Sequence, residues 1–502
     1  MAAAWLIAPA LLLTSGRPLE GAGLDALDAP LFDHARLVEH ARSLSQREFA
    51  PLPEPEDPAL DMNYDQYRSI AFDRDQAVWK DEGLPFTLEM FHPGFIYPTP
   101  VQISLVEDDG RVVPMRFDPS QFTYGGEAVP PAADGLGYSG FRAHAPINDP
   151  KIWDEFAVFQ GATYFRGVGR GQSYGISARG LAIATGEPQG EEFPYFSKFW
   201  VEKPAPGDMS LVVHALMDSP SVAGAYRFTI TPGETTVMDV EMTLFPRTDL
   251  SAVGFAPLTS MFLFDQTNRW GFDDFRDAVH DSDGLQILNG SGEQVWRPLA
   301  NPRRLQMSAF VDENPRGFGL MQRKREPEAF NDFTARYEAR PSLWVEPVGD
   351  WGRGSVVLIE IPTERETNDN IAAFWRPREP LPAGQPYTAS YRLYWGEDTP
   401  IGSTLMRVDY TRTGASTAGK RFFVVDFDGS ESELPVEYLN VEAAASAGEI
   451  SQPYLVKDPQ SGTIRATFEL DPQNQDLVEL RLRLSAAGVP ASETWLYRWT
   501  PG

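Results

Sequence analysis

Cysteine is absent from the 502 residues, which removes disulfides, thiolate nucleophiles, iron–sulfur clusters and cysteine zinc sites together. Histidine is scarce: His34, His40, His92, His144, His214 and His280 are the whole complement, and no two stand at H-x-x-x-H spacing, which excludes a zincin-type centre. His34 and His40 read as solvated positions on a helix. Basic residues are outnumbered, 43 Lys and Arg against 71 Asp and Glu, and the net charge of −28 is opposite in sign to what nucleic acid or an anionic membrane surface requires. No apolar run reaches the roughly 18 residues of a spanning helix, so no transmembrane segment is expected. No P-loop is present, and GVGRG, from Gly167 to Gly171, reads as a turn because it does not complete a dinucleotide fingerprint.

Hydrophobic residues make up 42% and aromatics 12%, enough for a sizeable core and for aromatic-lined grooves. The length fits about three domains, or two if one is a large all-β unit. At the start, Ala2 to Leu13 form an apolar run followed by small residues, the pattern of a signal peptide over residues 1–22, although no Lys or Arg precedes it. LFDHARLVEHARSL spaces Leu31, Leu37, Val38, Ala41 and Leu44 as a helix does. The Pro- and acid-rich APLPEPEDPAL that follows from Ala50 reads as a linker.

Beyond Pro100, alternation with period two takes over. VQISLVE is one such run; Tyr226, Phe228 and Ile230 lead through Pro232-Gly233 into VMDVEMTLF, a predicted hairpin; SVVLIEI and YTASYRLYW continue the pattern. Short strands between turns rich in Gly and Pro, which number 42 and 43, argue for an all-β sandwich. GEDTPIGS breaks the composition near residue 400, giving a large unit over 23–397, a connector over 398–404 and a smaller sandwich of immunoglobulin-like size over 405–502, built from runs such as RFFVVDF, TIRATFEL and LVELRLRL.

HDSDG, His280 to Gly284, starts like a calcium loop but lacks the later ligands, so no metal or other cofactor is expected. What remains is carboxylate chemistry beside aromatics, the combination that breaks glycosidic bonds with one protonated acid and one base for water. Asp281 lies between His280 and Ser282 before a Gly turn, and Asp369 between Asn368 and Asn370, so flanking groups can orient either carboxylate. An ordinary Asx-turn accounts for each equally simply.

The same residues carry a resemblance. GATYFR (161–166), YGISARGLA (174–182), LMDSPSVAGAYRF (216–228), HDSDGL (280–285), NPRGFGLMQR (314–323), RPSLWVEP (340–347) and IPTERETNDNIAAFW (361–375) resemble, in this order, signature blocks of the periplasmic glucan biosynthesis protein G and D family. The likeness is strong over about residues 60–400 and thinner beyond, where FVVDFDG and SETWLYRW carry it. It implies a galactose-mutarotase-like β-sandwich followed by an immunoglobulin-like one, a periplasmic location, and action on the β-1,2-glucan backbone of osmoregulated periplasmic glucans as an anomer-inverting β-1,2-glucanase. A transglycosylase using the same carboxylates, or a non-hydrolytic glucan-binding factor working with other glucan-synthesis proteins at the inner membrane, are the alternatives.

Carried over by motif, Asp369 would be the general acid and Asp281 the general base, with Glu366 a candidate negative neighbour holding the acid protonated. Tyr337 would lie in the cleft; Tyr164, Trp344 and Trp351 would supply walls for sugar faces, and Arg166 and Arg179 hydrogen bonds to hydroxyls. Pro327, in REPEAFNDF, stands where family members commonly carry an aromatic, which implies a differently shaped loop over the cleft.

Overall fold

The computed structural model describes residues 31–501 apart from 132–135, 267, 270 and 433; the expected signal peptide over 1–22 lies outside the described residues. Two face-to-face sheets dominate. The larger is centred on the predicted hairpin, the strands Val222–Thr231 and Thr236–Pro246, paired with Tyr226 opposite Met242, Phe228 opposite Val240 and Ile230 opposite Met238. Because successive side chains alternate faces, these residues all enter the core, where the Phe228 ring meets Phe159 and Phe165 of the second sheet at 5.2 and 5.1 Å. Among the described residues the two sheets have fifteen and ten strands. The strands expected at VQISLVE, SVVLIEI and YTASYRLYW form as Gln102–Val106, Arg353–Glu360 and Tyr387–Gly396.

The predicted helix is His34–Ser45, begun by Asp33, whose carboxylate accepts the Ala35 N–H at 3.0 Å. Its buried face, Leu37 and Ala41, packs on the outer side of the large sheet against Trp200, Leu216 and Phe245. His34 differs from expectation. It faces the sheet with its Nδ1 3.0 Å from that of His214, whose Nε2 is 2.7 Å from Glu202. The Pro-rich stretch after it forms no strand, and its one short turn, Pro58–Leu60, tucks Leu60 into the protein.

Residues 397–405 contain no strand. After them, Val408–Ala415, Arg421–Phe427 and Ile464–Asp471, with Glu449–Ile450 and Tyr454–Lys457, form a separate five-stranded sheet. The layer facing it is not separate. Leu439–Ala445, Val478–Ala486 and Thr494–Trp499 extend the fifteen-stranded sheet, because Thr494–Trp499 pairs in parallel with Gln294–Pro298, Thr494 opposite Val295 and Trp495 opposite Trp296. The core between these layers contains Phe423, Phe468, Leu482 and Trp495, together with Trp296, Met321 and Trp344 from earlier in the chain.

Candidate active site

Asp281 and Asp369 are far apart in sequence and are brought together by one backbone segment. The strand Val253–Ser260 pairs with Ile371–Pro377 so that Ser260 faces Ile371. Immediately past it, the Asn370 side chain accepts the Phe262 N–H at 2.8 Å and donates to the Phe262 and Ile361 carbonyls at 3.0 and 2.9 Å, acting as a substitute strand rung. On the other side, the Asp281 N–H donates to the Met261 carbonyl at 2.8 Å and the Ser282 hydroxyl lies 2.7 Å from that of Ser260. Each aspartate is therefore one residue or less from a group tied to residues 260–262. Asp283, the other acid of HDSDG, turns away and accepts the Arg323 N–H, at 3.2 Å to each oxygen.

The two carboxyls have different surroundings. Asp369 has an Oδ2 that is buried with no hydrogen-bond partner. Burial, and secondarily the charge of Asp281, push its carboxyl up to about 6, against the opposing pull of Arg166, Arg340 and Arg179. Asp281 is buried and forms an ion pair with Arg340. The Arg340 guanidinium lies 4.2 Å from the ring centre of Tyr337, itself buried, whose phenol is raised by burial despite Arg340. Glu366 is not the neighbour that acts on Asp369. Its carboxylate is 2.6 Å from Arg276, which also binds Asp332 at 3.0 Å and Asp274 at 2.7 Å, and this hub ties the approach to Asp369 to the segment around residue 275.

Opposite stands a wall built by strand alternation. Tyr164 and Arg166 point to one face of the strand Tyr164–Gly167, whereas Phe165 enters the core. On the next strand, Ser177–Arg179, Arg179 faces Tyr164 directly, its guanidinium 5.4 Å from the ring centre, and Ser177 accepts from Arg166 Nε at 2.7 Å. The Arg276–Glu366 hub lines a cavity of about 540 Å³ together with Leu263, Phe272 and Thr367, the last of these two residues before Asp369. Two unlike carboxyls, flanked by arginines and tyrosines, have the components for acid–base chemistry on a hydroxyl-rich substrate.

Comparison with known proteins agrees with this picture. The family described as "Periplasmic glucan biosynthesis protein, MdoG" matches residues 32–499. The chain belongs to that family. Among similar proteins, "Glucans biosynthesis protein G" of Shewanella frigidimarina is 48% identical over 480 residues, covering 93% of this chain and 85% of the relative. The protein of the same name from Vibrio cholerae is 49% identical over 477 residues, covering 93% and 87%. As a periplasmic glucan biosynthesis protein, the chain functions in the periplasm.

Within this MdoG-family chain the structure gathers Asp281, Asp369, Tyr337, Tyr164, Arg166 and Arg179 around one site. It does not bring Trp344 or Trp351 there. Trp344 lies in the C-terminal core, over Gly317 and Gly319, where any side chain would collide with its indole. Trp351 packs in the main core near Trp375 and Tyr391, its Nε1 donating to the Ser390 carbonyl at 3.2 Å. Arg340 was missed by sequence reasoning, although it opens the quoted RPSLW block three residues after Tyr337. Tyr97 was missed too; its phenol responds to Asp369, Tyr164 and Arg166, and nothing in FIYPTP signals this.

Proposed function

We propose that this protein hydrolyses the β-1,2-glucan backbone of periplasmic glucans with inversion at the anomeric carbon, Asp369 acting as general acid and Asp281 as general base. The observation that carries the reading is the buried Oδ2 of Asp369, which has no hydrogen-bond partner and stands near a second carboxylate, so that burial raises the carboxyl to about 6. Asp369 donates its proton to the glycosidic oxygen as the bond from C1 to that oxygen breaks. A water attacks C1 from the opposite face, and the proton it loses passes to Asp281. Tyr337 sits against the Asp281–Arg340 pair, and its raised phenol stays protonated, so it can accept one proton while giving another and serve as a relay. Arg166 and Arg179 supply donors to sugar hydroxyls, and Tyr164 a ring face.

The test is incubation of the purified protein with linear β-1,2-glucan, following chain length and product anomer by NMR. Shorter chains released with inverted anomer, and a rate loss of about 10²–10⁴-fold in each of Asp369→Asn and Asp281→Asn, are expected. Chains that bind but keep their length would replace this reading with that of a binding factor, and longer chains with that of a transglycosylase.

A further inference from the structure

One group of aromatic side chains next to this site has no part in the scheme above. It begins at Tyr97, whose ring lies against Gly161, and the Gly161 carbonyl accepts the N–H of Tyr164, the first residue of the wall, at 2.9 Å. The Tyr97 ring centre is 6.1 Å from that of Tyr67, Tyr67 is 6.0 Å from Phe95, and Phe95 is 5.9 Å from Tyr64. The row ends in solvent: Tyr64 is 37% exposed, and Phe95 and Tyr97 are half-buried.

Each member is set by a local device. Asn63 and Gln66 form a reciprocal capping box, with bonds of 2.9 and 3.0 Å, that starts the short helix Tyr64–Arg68. Tyr64 and Tyr67, three apart, therefore share a face. The Tyr67 hydroxyl donates to the His92 carbonyl at 3.0 Å and accepts from Gln160 at 2.8 Å, which fixes its ring. Gly94 and Tyr97 exchange two backbone hydrogen bonds of 2.9 Å, closing a two-residue turn over Phe95 and Ile96. Phe95 adopts φ +56°, at a turn position that favours glycine. Against Tyr97 lies Gly161, where a Cβ would stand 2.7 Å from the ring.

Phe95 thus holds positive φ with its ring partly exposed and packed between Tyr64 and Tyr67. Strain of this kind persists where the surroundings over-determine it, and ligand clamps are one such place. The row presents ring faces and uncharged hydroxyls, and the whole molecule carries −28, so an anionic ligand is disfavoured and a neutral one is not. A glucosyl residue offers an apolar C–H face to a ring and hydroxyls at its edge to water, the complement of a half-exposed tyrosine.

We infer that Tyr97, Phe95 and Tyr64 form an outer arm of the cleft on which glucosyl residues beyond those at the carboxylate pair stack, with Tyr67 as their support, so that preference for chain length is set there. The identity of the ligand rests on the glucanase reading.

Calorimetric titration of the Asp369→Asn protein with the β-1,2-linked disaccharide and with long linear β-1,2-glucan, repeated with Tyr64→Ala or Phe95→Gly added, tests the arm. Glycine relieves the strained turn, so Phe95→Gly separates binding from folding. Long-chain affinity falls about three- to ten-fold in either variant, the disaccharide is bound within about twofold of before, and the melting temperature does not fall. Tyr64→Phe, which keeps the ring, retains long-chain affinity. Unchanged long-chain affinity in both variants, or a loss shared by all lengths with a lowered melting temperature, overturns the arm even where wild-type protein cleaves glucan. A length-dependent loss in a protein whose wild type cleaves nothing keeps the arm and removes the glucanase. Absence of binding at every length overturns both.

Discussion

At the scale of single residues, the chemistry turns on one carboxyl that the fold leaves without a partner. An aspartic acid raised from 3.8 to about 6 binds more protons in the folded chain than in the unfolded one between those two values, so it subtracts stability as pH rises through that window. Two outcomes follow. Hydrolysis should decline above about pH 6 as the acid loses its proton, and the basic limb of the kcat profile should report that group. Asp369→Asn, by removing the ionisable group, should raise the melting temperature more at pH 7 than at pH 4. An equal effect at both values would mean that Asp369 is not held protonated by burial.

Asp281 and Asp369 could be named as candidates from sequence only through the family blocks that contain them, since their hydroxyl and amide neighbours alone fit an Asx-turn as well. The role of Glu366 was not, since its partner Arg276 lies ninety residues upstream and only the fold joins them. Trp344 shows the converse: an indole in the RPSLWVEP block invites a sugar-wall reading, but the glycines opposite it mark it as a packing residue.

At the scale of elements, two-residue alternation made the hairpin around Pro232-Gly233 readable from Tyr226 through VMDVEMTLF, because one face must be buried and a slip by one would invert every side chain; its strands reach further, from Val222 to Pro246. The helix His34–Ser45 was readable for the same reason with a different period. What periodicity does not encode is the clamp around residues 260–262, where the second partner of the backbone is a side chain. Asn370→Ala leaves the Phe262 N–H and carbonyl without partners in a buried place, a cost of about 1–3 kcal/mol, and frees the segment that carries Asp369. Chemical denaturation should show that loss together with a fall in glucan cleavage larger than the fraction unfolded explains. Normal activity in a destabilised variant would show that the clamp serves stability alone.

At the scale of the whole molecule, the composition break near residue 400 coincides with a stretch lacking strands, yet the sheet continues past it. Alternation within a strand says which residues are buried and nothing about which distant strand lies alongside, so the parallel pairing of Thr494–Trp499 with Gln294–Pro298 was beyond sequence reasoning. A chain ending at residue 404 exposes Trp296, Met321 and Trp344 and an unpaired strand edge, which is an aggregation surface. It should be recovered aggregated in size-exclusion chromatography, while the full chain melts in one calorimetric transition. A soluble, monomeric, stably folded fragment would contradict the shared core.

That shared sheet also fixes an order of events. The strand Thr494–Trp499 is made about two hundred residues after the neighbour with which it pairs. Until Thr494–Trp499 has emerged, the edge at Gln294–Pro298 stays open and the second core lacks Trp495. Closure of this sheet thus waits on the strand Thr494–Trp499: what precedes it can assemble in part, and the second core is completed only when that strand docks.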